Sequence, residues 1–273
     1  GTIDRYAGYE EGTLGYQIMI DNQTRSTRSN NNNGTNNFAT PLTATTTGTL
    51  FTSTESITGI TDSPKEVYYY AGNTTNNWVK FAELYWRIIR TNHDGSIRLL
   101  YVGTSHDTTS GNIGTSKFNT NSDSPKYAGY KYGEDTSLDT IRNNTTDSTI
   151  KTFIDSWYKN NLTSYIKYLS TSAVYCNDRK ALSYSIRSSF DYYVQTRLGA
   201  GNPTYDCEDS SDAFSGSNSE AKLTHPIGLM TADEITYAGG KDTTGLTSPY
   251  AWYYLNSAGE SITGTQWWWS LSP

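Results

Sequence analysis

The stretch YWRIIRTNHDGSIRLLYV, residues 85–102, decides how this chain folds. Trp86, Ile88 and Arg90 alternate with Arg87 and Ile89, and Ile97, Leu99 and Tyr101 alternate with Arg98, Leu100 and Val102. That is the period of an extended strand, whose successive side chains point to opposite faces. Between the runs, Asp94-Gly95 supplies the positive φ that a tight connection needs. The stretch therefore predicts a β-hairpin. Both faces carry apolar residues, so the ribbon is expected at the centre of a sheet, covered on both sides. Arg87 and Arg98 are expected near its ends or paired with acids.

Composition agrees with a strand-built core. The 273 residues are only 34% apolar but 14% aromatic, with 23 tyrosines. Rings must supply much of the core, each tyrosine keeping a hydroxyl for a polar partner. Only 18% of residues are charged, and the net charge is −6. Lys and Arg are scattered without a basic run, which argues against nucleic-acid binding. No run of about 18 apolar residues marks a membrane span. Low charge, many hydroxyls and two cysteines point to an exported protein.

Outward from the hairpin, EVYYYAGN and NNWVKFAEL read as aromatic strands. Residues 103–146 read as loop. A helix follows in STIKTFIDSWYKNNLTSYIKYL (148–169), capped by Asp147 or Ser148, with Asn160-Asn161 as a break. TADEITYAGG (231–240) is a second, short helix. Thr231 and Glu234 form its capping box and Gly239-Gly240 end it. SPYAWYYLNSAGESITGTQWWWSLSP (248–273) reads as two short strands. Toward the N-terminus, GYQIMIDNQ (15–23) reads as a strand with Tyr16, Ile18 and Ile20 on one face. Residues 25–47 read as a polar linker, with exposed strands of an assembly as the rival reading. The class is α+β.

The segments YYYAGNTTNNWVKFAELYWRIIRTNHDGSIRLLYVGT, DSTIKTFIDSWYKNNL, YCNDRK and PIGLMTADEITYAGG…WYYLN…QWWWSLSP resemble a family of exported proteins of gut-type Gram-positive bacteria and their phages. That family looks like a divergent branch of the C-type-lectin fold, akin to formylglycine-generating-enzyme-like domains and to variable proteins diversified by retroelements. The resemblance covers roughly residues 65–273. It implies a C-type-lectin-like domain there, preceded by an extended segment over 1–64 that follows a prepilin-like or other anchor. It also implies surface display and binding of a glycan or a protein. Related chains run past the WSLSP segment into further strands and a G-V-R-P-like element, absent here. Either those strands lie outside this sequence, or another chain supplies them by strand exchange, as in a filament or pilus. A strand through Trp267–Trp269 would then be an edge prone to pair.

Candidate sites follow from residue type. Cys176 and Cys207, with 30 residues between them, are expected to form a disulfide. Asp206, Glu208, Asp209 and Asp212 form an oxygen-rich loop that could take calcium, though EF-hand spacing is missing. Tyr250, Trp252, Tyr253 and Trp267 are candidates for stacking on a sugar or anchoring a protein partner, against a plain core role. Sequons place candidate glycans on Asn22, Asn33, Asn73, Asn144 and Asn161. His93, His106 and His225 show no zinc spacing, and no nucleophile-elbow pattern occurs. The expectation is a non-enzymatic extracellular adhesion protein with no cofactor. Its alternative is a self-assembling filament subunit, and a hydrolase is the weakest reading.

Overall fold

In a computed structural model the 85–102 stretch is the hairpin that its alternation predicts. The structure describes residues 6–29, 37–42, 49–106, 111–119, 144–180, 193–240, 252 and 270–272. Strand β4 (Leu84–Thr91) pairs antiparallel with β5 (Ile97–Gly103), Trp86 opposite Tyr101 and Thr91 opposite Ile97. Register shifts at Tyr85/Trp86 and Ile88/Arg90 bend β4. In the turn, Asn92 N–H donates to Ser96 C=O (2.8 Å) and Gly95 takes φ +80°. A side chain there would be strained.

Three further strands complete the sheet. Strand β1 (Thr49–Glu55) pairs with β2 (Lys65–Ala71) over its full length, and β2 meets β4 at Tyr69–Arg90. Strand β3 (Trp78–Phe81) pairs with the start of β4 through a two-residue turn, Ala82-Glu83, both at positive φ. That turn type favours Asn-Gly, so the residues here did not announce it.

Alternation sorts the tyrosines of β2. Tyr68 and Tyr70 join Leu50, Ile88 and Ile89 in the main core. Val67, Tyr69 and Ala71 join Phe51, Tyr205 and Tyr237 in a second cluster of rings. Tyr205 and Tyr237 stack at 4.0 Å, and Tyr69 meets Tyr237 edge to face at 4.7 Å.

Among the described residues there are four helices, each with buried side chains. The first, α1 (Leu14–Asp21), corrects the strand read for 15–23. Tyr16, Ile18 and Ile20 do alternate, but the buried residues are Gly15, Ile18 and Met19, and Ile20 is exposed. Thr13 Oγ1 caps α1 by accepting from Tyr16 N–H. Tyr9 lies so close to Gly15 that a Cβ there would fall 2.1 Å from its ring. Helix α2 (Thr149–Asn161) is capped by Ser148, the second of the two residues expected, and gives way to a 3₁₀ turn over Thr163–Tyr168. Helix α3 (Tyr193–Gly199) is short. Helix α4 (Ala232–Ala238) carries the expected capping box and ends at Gly239 with φ +122°.

The segment read as a linker packs in part. Ser26 bridges to Phe51 on the outer side of β1, and Phe38 is buried in the ring cluster. Arg28 is buried over the Phe38 ring at 4.2 Å. Its Nη1 donates to Tyr237 C=O (3.2 Å), a terminal carbonyl of α4, where a cation also suits the helix dipole. The described parts of 103–146 contain one end of β5 and no helix or strand beyond it until residue 149.

A disulfide joins Cys176 to Cys207 (S–S 2.07 Å, Cα–Cα 5.8 Å). It ties β6 (Tyr175–Cys176), paired with β7 (Ala213–Phe214), to the backbone that bridges Ile57 after β1. Closing a loop of this length should stabilise the protein by about 3–4 kcal/mol. A Cys176→Ser/Cys207→Ser variant should lose that amount in urea unfolding under oxidising conditions.

Candidate functional site

A buried charge network fixes the hairpin against α4. Arg90 Nη2 binds Glu55 Oε1 at 2.9 Å, Arg90 Nε lies 3.4 Å from Glu234 Oε1, and Arg98 Nη1 binds the same oxygen at 2.8 Å. All four side chains are 5% exposed or less. Glu234 Oε2 meanwhile accepts from Thr231 N–H (3.0 Å), so one carboxylate closes the capping box and bridges two arginines, with Glu55 supplying the second negative charge. Burial would raise the Glu55 carboxyl. The Arg90 charge and bonds from His93 and Arg90 outweigh it and hold it at about 2. Arg98 is thus paired with an acid, as expected, and Arg87 is not near a strand end. Arg87 is fully buried in mid-strand, its Nε donating to Asn77 Oδ1 (2.6 Å) and its guanidinium 4.5 Å from the Trp78 ring.

Beside this frame a groove of about 1,130 Å³ runs between β5 and α2. Its walls are rings: Trp86 meets Tyr101 at 5.5 Å and Trp157 at 6.1 Å, and Tyr101 meets Trp157 at 4.9 Å. Ile227, Leu229 and Met230 also line it, and Arg98 and Glu234 are among its charged lining residues. Tyr168 lines the groove and is 66% exposed, with Ile166 on the same 3₁₀ turn 58% exposed. An apolar recess with a few fixed polar groups is the usual form of a binding site.

No protein-family model, curated protein or solved structure matches this chain.

The groove residues are not those that residue type singled out. Trp252, read as a stacking ring, is 1% exposed, and its Nε1 donates to Tyr70 C=O (2.6 Å). It is a core residue, because a ring this buried presents neither face to a ligand. Tyr250, Tyr253 and Trp267 lie outside the described residues, as does most of 248–273.

The calcium loop is also corrected. Asp206 Oδ1 accepts from Ser56 N–H (2.8 Å), Glu208 pairs with Lys180 (2.8 Å), Asp209 caps the 3₁₀ turn Ser210–Asp212, and Asp212 pairs with buried Arg179. Each carboxylate has its own partner and they do not converge. Among the described residues no group of three or more His, Cys, Asp or Glu could hold a metal.

Two sequons are occupied by packing. Asn22 is buried and donates to Ile18 C=O (2.9 Å) and Tyr70 Oη (3.0 Å). Asn144 Nδ2 donates to Ser211 C=O (2.7 Å) and Glu220 C=O (2.9 Å), using both its hydrogens. Asn73 is exposed, Asn161 Nδ2 donates to Trp157 C=O (2.8 Å), and Asn33 lies outside the described residues.

The groove had a trace in the sequence. Phe153 and Trp157 stand four apart on α2, the spacing of a core-facing stripe, and here they form a half-buried wall. Among the described residues no helix is long and apolar enough to cross a membrane.

Proposed function

We propose that this chain is an extracellular, non-enzymatic surface protein that adheres through the groove between β5 and α2, on a divergent C-type-lectin-like domain. The observation that carries this reading is the ring-walled groove with Tyr168 exposed along it. Exposed aromatics give large contact area at low entropic cost and recur as binding anchors. The disulfide and the low charge suit an oxidising exterior. The ligand is a glycan or protein of another surface. Wild-type chain applied to glycan arrays and to whole bacterial and epithelial cells should bind at least one surface. Tyr168→Ala, at an exposed position, should weaken binding about tenfold without moving the melting temperature. A wild-type chain that binds nothing, or a variant that binds equally well, overturns the reading.

A second reading, a filament subunit assembled by strand exchange, is favoured by one observation. Among the described residues β5 pairs with β4 alone, while Ser26 covers the outer side of β1. Strand β5 also lacks the Lys or Pro that guards an open edge. Negative-stain images of native material separate the two readings.

A further inference from the structure

The tip of the hairpin separates two recesses. Tyr9, Asn92 and Gly95 line the ring-walled groove on one side and a second recess of about 770 Å³ on the other. Four parts of the chain meet in this second recess: the turn before α1, the segment after it, β1–β2, and the hairpin tip. Its chemistry is the opposite of the groove's. Arg25 and Lys65 bring two cations, Gln23 and Thr52 an amide and a hydroxyl. Among the described residues Glu66 is its one carboxylate, and that group already accepts from Tyr68 Oη. The described lining is therefore positive by one charge on a chain of net charge −6.

Two details point to a ligand. Asn92 is 3% exposed, and while its Nδ2 donates to Ser96 Oγ (2.9 Å), its Oδ1 is buried without a hydrogen-bond partner. A buried acceptor left so is costly unless something donates to it. Ala7, on the wall, takes φ +51°, a strained value for a residue with a Cβ. The turn it makes sets the half-buried Tyr9 ring against the recess.

We infer that this second recess binds an anionic saccharide. Arg25 and Lys65 take its carboxylate or sulfate, the Tyr9 ring supports a sugar face, and Gln23, Thr52 and Asn92 meet its hydroxyls. A hydroxyl group supplies the donor that Asn92 Oδ1 lacks, and a sugar carries several. The guanidinium–carboxylate pair is the strong contact, and neighbouring amides and hydroxyls give orientation. This inference rests on the adhesion reading and names a ligand class for it, at a recess separate from the groove.

The test uses the full chain and three probes: trigalacturonic acid, a sulfated chondroitin disaccharide and neutral maltotriose. Amide NMR titration should show trigalacturonic acid or the sulfated disaccharide shifting Gln23, Lys65 and Asn92, at least tenfold more tightly than maltotriose. Whichever anion binds better identifies the acidic group recognised, and either result supports the inference. Arg25→Gln with Lys65→Gln should weaken the anionic probe at least tenfold, and raising salt should weaken it in wild type as well. Arg25→Lys, which keeps the charge, should retain most of the affinity. No binding of either anion, equal binding of maltotriose, or an unchanged affinity in the double variant overturns the inference. Loss of anion binding in the double variant with Tyr168-dependent adhesion intact separates the two sites. Absence of anion binding in a wild type that still adheres through the groove sinks this inference alone.

Discussion

Glu234→Ala should destabilise the protein by about 3–5 kcal/mol, the usual effect of removing one partner from a buried ion cluster. Glu234 is 2% exposed and its two oxygens serve Arg90, Arg98 and Thr231 N–H. Deleting it leaves Arg98 buried with the Val174 carbonyl as its remaining described acceptor and Arg90 with Glu55. It also opens the capping box of α4. Glu234→Gln keeps an acceptor for the cap but lacks the charge, so it should fall between wild type and Glu234→Ala. Chemical unfolding monitored by tryptophan fluorescence reads both. As a control, disrupting the exposed pair Lys80–Glu83 should leave the unfolding midpoint where it is. A Glu234→Ala protein as stable as wild type would mean that the network contributes nothing net.

Trp252→Ala should be nearly as damaging, at about 3–5 kcal/mol. The indole is 1% exposed, packs in the main core beside Tyr70 and Ile88, and satisfies its donor on Tyr70 C=O. It also lies 5.5 Å from the Arg87 guanidinium, itself fully buried. Removing the ring leaves a cavity and takes away one of that cation's two described aromatic neighbours, leaving Trp78. Melting followed by near-ultraviolet circular dichroism should show a single transition at lower temperature. If Trp252 were a ligand contact instead, the variant would lose binding and keep its melting temperature.

How much of this was written in the sequence depends on the period of each segment. The hairpin at 85–102 was legible because alternation and Asp94-Gly95 agree. Helix α4 was legible because Thr231, Glu234 and Gly239 mark both of its ends. Helix α1 was not, because Tyr16, Ile18 and Ile20 happen to alternate over five residues. Only burial shows that the inward residues are Gly15, Ile18 and Met19. The Ala82-Glu83 turn carries no turn residue, so its positive φ values could not be foreseen. The disulfide was legible from two cysteines in a chain poor in charge and rich in hydroxyls. The groove was not: Trp86, Tyr101 and Trp157 come from three elements, and no local pattern brings them together. Trp252 takes the core role, one of the two readings its residue type left open, since a ring buried by long-range packing reads like any other aromatic in a polar neighbourhood. The acidic loop at 206–212 shows the limit of composition as a guide, since its carboxylates answer to Ser56, Lys180, Ser211 and Arg179, and not to one another.

Arg28 grips the last carbonyls of α4 across a separation of 209 residues. During synthesis it must wait, uncovered, until the chain has been made as far as Tyr237. The aromatic cluster over which it lies, with Phe38, Tyr69, Tyr205 and Tyr237, stays open for the same interval. Partners this far apart along the chain slow folding, so this corner of the protein should be among the last to close, once α4 has been made.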